Sequence, residues 1–115
     1  MTTSSTIEIP LDSVFTHLAD RLRRYLLYCL FQDSNPMSLP RIADRAVEWR
    51  TGEPAEAVLD ARLEIYMQLY HDHLSGLIED DVITYHQDED LVVLDTAAGV
   101  FEPYVAQAFR DEIDT

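Results

Sequence analysis

The run Tyr25-Leu26-Leu27-Tyr28-Cys29-Leu30-Phe31 constrains this chain more than any other stretch. Leu11, Val14, Phe15, Leu18, Leu22, Leu26 and Cys29 recur at helical spacing, so residues 11 to 32 read as one helix with a buried stripe. Its C-terminal half is apolar on every side, and such a helix must be covered on every side. A chain of 115 residues is one domain with a single modest core, and that local core is expected to cover only one side. Asp12 or Ser13 is placed to cap the helix start. Gln32 to Met37, with Asn35-Pro36, ends it.

Downstream, Ser38 is a good N-cap for a second helix running to about Arg50, with Pro40 tolerated in its first turn. Leu39, Ile42, Ala43, Ala46 and Val47 form its buried side. After the loop Thr51-Gly52-Glu53-Pro54, a third helix is predicted from about Glu56 to Ile78. At about 100° per residue, Leu59, Leu63, Tyr66, Met67, Tyr70, Leu74 and Leu77 share its buried arc. Asp60, Glu64, Gln68, His71 and Ser75 lie on the exposed one, with Asp72 at its edge. Val82 to His86 and Leu91 to Leu94 read as a β-hairpin. A last helix follows at roughly 101 to 113, carrying Phe101, Tyr104, Val105, Ala108, Phe109 and Ile113 at helical spacing. The order is that of a mainly α (α+β) winged helix-turn-helix: three core helices, a hairpin wing and a C-terminal helix. Residues 1–10 read as a disordered leader, 11–95 as the winged domain and 96–115 as a dimerisation element.

The charge balance is extreme, with 22 acidic residues against 8 basic ones and a formal net charge of −14. Every basic residue is arginine. Lysine-free acidity reads as adaptation to molar salt, where self-repulsion is screened within a few ångströms. An acidic binding module or nucleic-acid mimic is the competing reading; the spread of acids along the whole chain favours the salt adaptation. A single cysteine, Cys29, excludes an intrachain disulfide. No segment approaches the roughly 18 apolar residues of a membrane span, and residues 1 to 6 carry no secretory pattern. A soluble, cytoplasmic protein is expected.

Local wording is more specific than element order. Leu18-Ala19-Asp20-x-x-Arg23-Arg24-Tyr25-x-Leu27, Met37-Ser38-Leu39 with Arg41-Ile42-Ala43 and Val47-Glu48-Trp49, Leu69-Tyr70-His71-Asp72-His73-Leu74-Ser75-Gly76-Leu77 and Asp81-Val82-Ile83-Thr84-Tyr85 occur in that order. Together, over roughly residues 11 to 95, they resemble a family of small winged-helix proteins abundant in halophilic archaea, taken to be transcriptional regulators. The His-Leu-x-x-Leu ending is also similar to the recognition helix of arsenic-repressor-like winged helices. The chain departs from the family at Ser75-Gly76, where Pro-Lys is usual, and at Asp81, where a glycine would end the helix. A glycine inside a helix costs about 1 kcal/mol, so fraying or bending is expected at Gly76.

The resemblance implies double-stranded DNA as partner, with the third helix in the major groove and the wing beside it. Arg41 and Arg45, one turn apart, are the candidate phosphate contacts; Gln68 and His71 are candidates for base edges. Arg62 and Ser75 complete the candidate DNA-binding set. Asp60, Glu64, Asp72 and an acidic wing tip have the wrong sign for DNA, which leaves a protein-docking module without DNA binding as the rival. Arg21, Arg23 and Arg24 are expected to pair with nearby acids on a solvated surface. His71 and His73 stand about 200° apart on a regular helix and cannot chelate one ion, so no metal, cofactor or catalytic residue is assigned and the chain does not read as an enzyme. Tyr28, Phe31, Phe101, Tyr104, Val105 and Phe109 are the candidate homodimer interface.

Because repulsion among excess carboxylates opposes compaction, the melting temperature is expected to rise steeply from low salt to molar KCl. A melting curve insensitive to salt over that range would remove the salt-adaptation reading.

Overall fold

The computed structural model describes residues 9–114, so most of the expected leader lies outside the described residues. Helix α1 (Leu11–Leu18) and helix α2 (Arg21–Tyr28) replace the single long helix expected from periodicity. Asp20 makes the break. Its backbone is extended, and its carboxylate accepts the amides of Leu22 (2.8 Å) and Arg23 (3.2 Å), starting a new helix. Arg23 and Arg24 then donate back to the carbonyls of Thr16, His17 and Leu18 at the end of α1. They hold a helix junction together rather than sitting on a solvated face. At the N-terminus of α1 no side chain caps; Pro10 occupies that position, not Asp12 or Ser13. Leu11 and Phe15 are exposed, and Val14 and His17 are the residues α1 buries.

Helix α2 continues as a wider π turn, Cys29–Asp33. Every residue from Tyr25 to Leu30 is buried. The cover comes from this chain: α3 (Leu39–Thr51) packs on one side of α2 and α6 (Ala98–Glu112) on another. Tyr28 stacks edge-on against Phe109 (5.3 Å) and Trp49 (6.0 Å), and Tyr28, Phe101 and Val105 are fully buried. These three expected dimer residues are therefore consumed within one copy. The reason is geometric: α6 returns to lie against α1 and α2, supplying from the same chain the cover expected of a partner.

Helix α3 follows expectation closely. The Ser38 hydroxyl accepts the Arg41 amide, Pro40 sits in the first turn, and all five expected apolar residues are fully buried. Gly52, at φ +75°, closes the helix in the left-handed conformation. A 3-10 turn (Ala55–Ala57) leads to α4 (Leu59–Gln68), a second π turn (Leu69–His73) and α5 (Leu74–Glu79). Strands β2 (Ile83–His86) and β3 (Leu91–Leu94) form the hairpin, and the two-residue β1 (Met37–Ser38) pairs antiparallel with β3, giving the order β1-β3-β2. A short strand ahead of α3, completed by a hairpin after α5, is a winged-helix-like α+β arrangement. Asp81 adopts φ +60°, so the position keeps the backbone for which glycine is the usual residue.

Helix α6 is locked at its far end. Arg24 holds Glu112 through two hydrogen bonds of 2.9 Å, and the Tyr28 hydroxyl donates to the same carboxylate at 2.8 Å. The Arg24 contact holds the Glu112 carboxyl below the usual carboxylate range, and burial followed by that hydrogen bond raises Tyr28. A carboxylate stabilised in this way supports the fold fully above its ordinary pKa, and the support is lost as pH falls through the lowered one. Glu112→Gln should cost about 1–2 kcal/mol at neutral pH in molar KCl. The gap from wild type should close as the solution is acidified below the usual carboxylate range, as read by denaturant melts. A gap constant down to acid pH would show that the ion pair is not the cause.

Candidate macromolecular interface

The helix-turn-helix unit is α3 followed by α4, and its outward face is decided by the π turn. In that turn the Leu74 amide donates to the Leu69 carbonyl, five residues back. One extra residue per turn rotates everything upstream by about 100° relative to a regular helix. The core face therefore runs Ile65, Leu69, Leu74, Leu77, with steps of four, five and three residues, and all four are buried. Continuous 3.6-residue periodicity instead groups Leu59, Leu63 and Met67 with Leu74 and Leu77. That expectation fails: Leu59 is 61% exposed, Leu63 57% and Met67 43%. The bend expected at Gly76 is absent too, since α5 runs regularly through it and the irregularity lies at Leu69–His73.

Leu59, Leu63 and Met67 thus form an apolar stripe at i, i+4, i+8 along the outside of α4. Asp60, Glu64 and Asp72 flank it and are exposed, as expected from the sequence. Leu63 and Met67 line a shallow groove of about 510 Å³ together with Asp60, Glu64, Gln68, His71 and Asp72. No arginine lines it. Beyond Gln68 and Asp72 a second, polar depression of about 410 Å³ is bordered by Arg21 and Arg50.

The candidate DNA contacts separate across this surface. Arg45 bonds Asp33 at 2.9 Å, approaches Glu48 at 3.6 Å and lies over the Trp49 ring at 4.7 Å. Arg62 is bonded to Asp44 and to the Pro40 carbonyl, which ties α4 to α3. Arg41 is exposed and makes no ion pair among the described residues. Gln68 is half-buried, while His71 and Ser75 are exposed; His71 faces the groove, edge-on to Tyr70. His73 turns the other way. Its Nδ1 accepts from Arg23 at 2.9 Å, and its Nε2 lies 3.5 Å from Asp20. Burial lowers its pKa, against the pull of Asp20. Phe31 and Phe109 are half-buried, and Tyr104 is exposed, edge-on to Phe15 at 5.5 Å. Cys29 is buried, which pushes its thiol up to about 12.

Two features escape sequence reasoning. His17, buried in α1, contacts Asp80 at 2.7 Å, giving one of the three acids at the end of α5 a partner. Asp90, at φ +52° in the wing turn, accepts the hydroxyls of Tyr66 (2.7 Å) and Tyr85. Its own carbonyl accepts the Leu39 amide at 2.8 Å. One wing residue therefore fastens α4, β2 and the start of α3. The spacing of Tyr66, Tyr85 and Asp90 gives no local signal, since the contact is made only by the fold.

A family model described as "Domain of unknown function (DUF7344)" matches residues 15–93. The chain belongs to the DUF7344 family. The match runs from α1 through β3 and stops before α6, so the helix that completes the cover of α2 lies beyond the DUF7344 span. No curated protein and no solved structure matches the chain.

The Asp90 hydrogen bond raises Tyr66 to about 12, and burial followed by the same carboxylate raises Tyr85. Raised phenols support the fold fully below the ordinary tyrosine pKa and lose that support as pH climbs through the raised values. Asp90→Ala should cost about 2–3 kcal/mol through two charge-assisted hydrogen bonds and a left-handed backbone. It should also make two late-ionising tyrosines ionise earlier in a spectrophotometric titration, Tyr66 falling toward the ordinary range and Tyr85 staying above it because burial still raises it. An unchanged tyrosine titration would contradict the latch.

Proposed function

We propose that this DUF7344 protein is a winged-helix interaction module that docks a protein partner through the outer face of α4. The observation that carries this is the exposed Leu59-Leu63-Met67 stripe flanked by Asp60, Glu64 and Asp72. Apolar side chains displayed in line on a regular helix form a continuous patch of the kind that marks protein contacts. Three carboxylates around the same groove oppose a polyanion. The wing tip, Asp88 and Glu89, is exposed and carries the same sign.

The second reading is a salt-adapted, DNA-binding transcriptional regulator, as the resemblance to haloarchaeal winged-helix proteins implies. Arg41 favours it: exposed and without an ion pair at the start of α3, it stands where such a helix meets the phosphate backbone. In molar salt counterion release adds little to affinity, so net charge alone does not decide. Half-site recognition would bring a homodimer with it, for which exposed Leu11, Phe15 and Tyr104 on α1 and α6 are the surface left to a second copy.

The deciding experiment titrates the protein with a labelled duplex from its own upstream region, in molar KCl. The docking reading expects no saturable binding beyond that of a random duplex. Saturable, sequence-dependent binding that Arg41→Ala weakens about tenfold or more would overturn it in favour of the regulator.

A further inference from the structure

Resting on that docking reading, we infer that the α4 groove takes a basic amphipathic helix from a partner polypeptide. The stripe from Leu59 to Met67 runs through nine residues of regular helix, about 12 Å end to end. Two apolar anchors one or two turns apart on a second helix match that length, and helices pack by seating such ridges between one another. Strand addition is disfavoured here, because the sheet is short and lies on the other side of α4: β1 has two residues and β2 four, and Tyr66 and Tyr70 face the wing.

Charge selects the sign of the occupant. Asp60, Glu64 and Asp72 make no ion pair among the described residues, and no arginine lines the groove with them. Arginine or lysine flanking the anchors would meet these carboxylates at contact distance. A second copy of this chain brings the same three carboxylates to the same stripe, so a two-fold pairing sets like charge against like. An acidic partner does so as well. In molar salt the Debye length is about 3 Å, so charge acts only at contact and apolar burial sets most of the affinity. This separates the docking site from general attraction between a basic peptide and a chain of net charge −14, which salt would abolish.

The test uses the full-length protein in molar KCl and three fluorescent synthetic peptides of equal length. One is helical, with leucines at i, i+4 and i+7 and arginines elsewhere; the second scrambles the same composition; the third replaces arginine with glutamate. The first should bind saturably, with amide shifts in labelled protein centred on residues 59–71, and the other two about tenfold or more weaker. Leu63→Ser should weaken the first peptide about tenfold while leaving the melting temperature unchanged, since the side chain is already exposed. Glu64→Arg, a second variant outside the core, should weaken it and strengthen the glutamate peptide. Equal binding of the scrambled peptide, or shifts centred elsewhere, would overturn the inference. So would self-association of the protein that Leu63→Ser abolishes, which would assign the groove to a second copy. Failure of all three peptides with no DNA binding sinks only the basic-helix partner; specific DNA binding sinks the docking reading beneath it.

Discussion

Every residue from Tyr25 to Leu30 is buried, and the other elements are arranged to make that possible. A helix apolar on all sides leaves no polar face to water, so it must lie at the centre. In this chain α3, α6 and the π turn after α4 surround it. The contacts that hold this arrangement are made by arginines. Arg23 and Arg24 bond the last carbonyls of α1, Arg24 fastens Glu112 at the end of α6, and Arg23 reaches His73 beside α5. A cation with a planar, multi-donor head can satisfy backbone carbonyls and a carboxylate at once, which an ammonium group does less well. With these residues spent on the interior junction, the surface available for recognition is set elsewhere.

It is set on α4. The single widened turn at Leu69–His73 lets Ile65 and Leu69 join Leu74 and Leu77 in the core, and this turns Leu59, Leu63 and Met67 outward. Such turns are rare and cost hydrogen-bond geometry, and they are frequent at functional sites. Here the consequence is specific: the helix that would read DNA in a winged-helix protein displays an apolar ridge beside three carboxylates. Arg62, its one basic residue, points back to Asp44 on α3. The Asp90 latch then ties the wing, with Tyr85 on β2, to Tyr66 on the far side of the same helix, so α4 is held on its inner flank while its outer face stays open.

Much of the fold was legible in the sequence because it depends on local signals. Ser38, Pro40 and Gly52 bound α3 by capping chemistry, and the β-rich runs around Gln87 to Asp90 specify the hairpin. The break at Asp20 was legible in principle, since an aspartate ahead of Arg21-Leu22-Arg23 is a cap signal, but the uninterrupted apolar spacing masked it. Two things were not legible. A π turn carries no residue signature, and a fixed 100° step propagates its error to every residue upstream, which is why regular periodicity places the α4 stripe in the core. The return of α6 onto α2 depends on long-range packing of Phe101, Val105 and Phe109, and sequence spacing alone does not distinguish that from the same helix offered by a partner. The candidate arginines fared according to their neighbours: Asp33, Asp44 and Glu48 engage Arg45 and Arg62, whereas Arg41 has no such partner among the described residues.

The central claim is which side of α4 faces out, and thiol labelling reads it directly. Leu63→Cys and Ile65→Cys, two residues apart, lie on opposite sides of the helix, and buried Cys29 serves as an internal reference. In molar KCl, Leu63→Cys should react with a maleimide at nearly the rate of a free peptide thiol. Ile65→Cys and Cys29 should react only as the protein unfolds in denaturant. Rapid labelling of Ile65→Cys with protection of Leu63→Cys would place the stripe in the core and contradict the account.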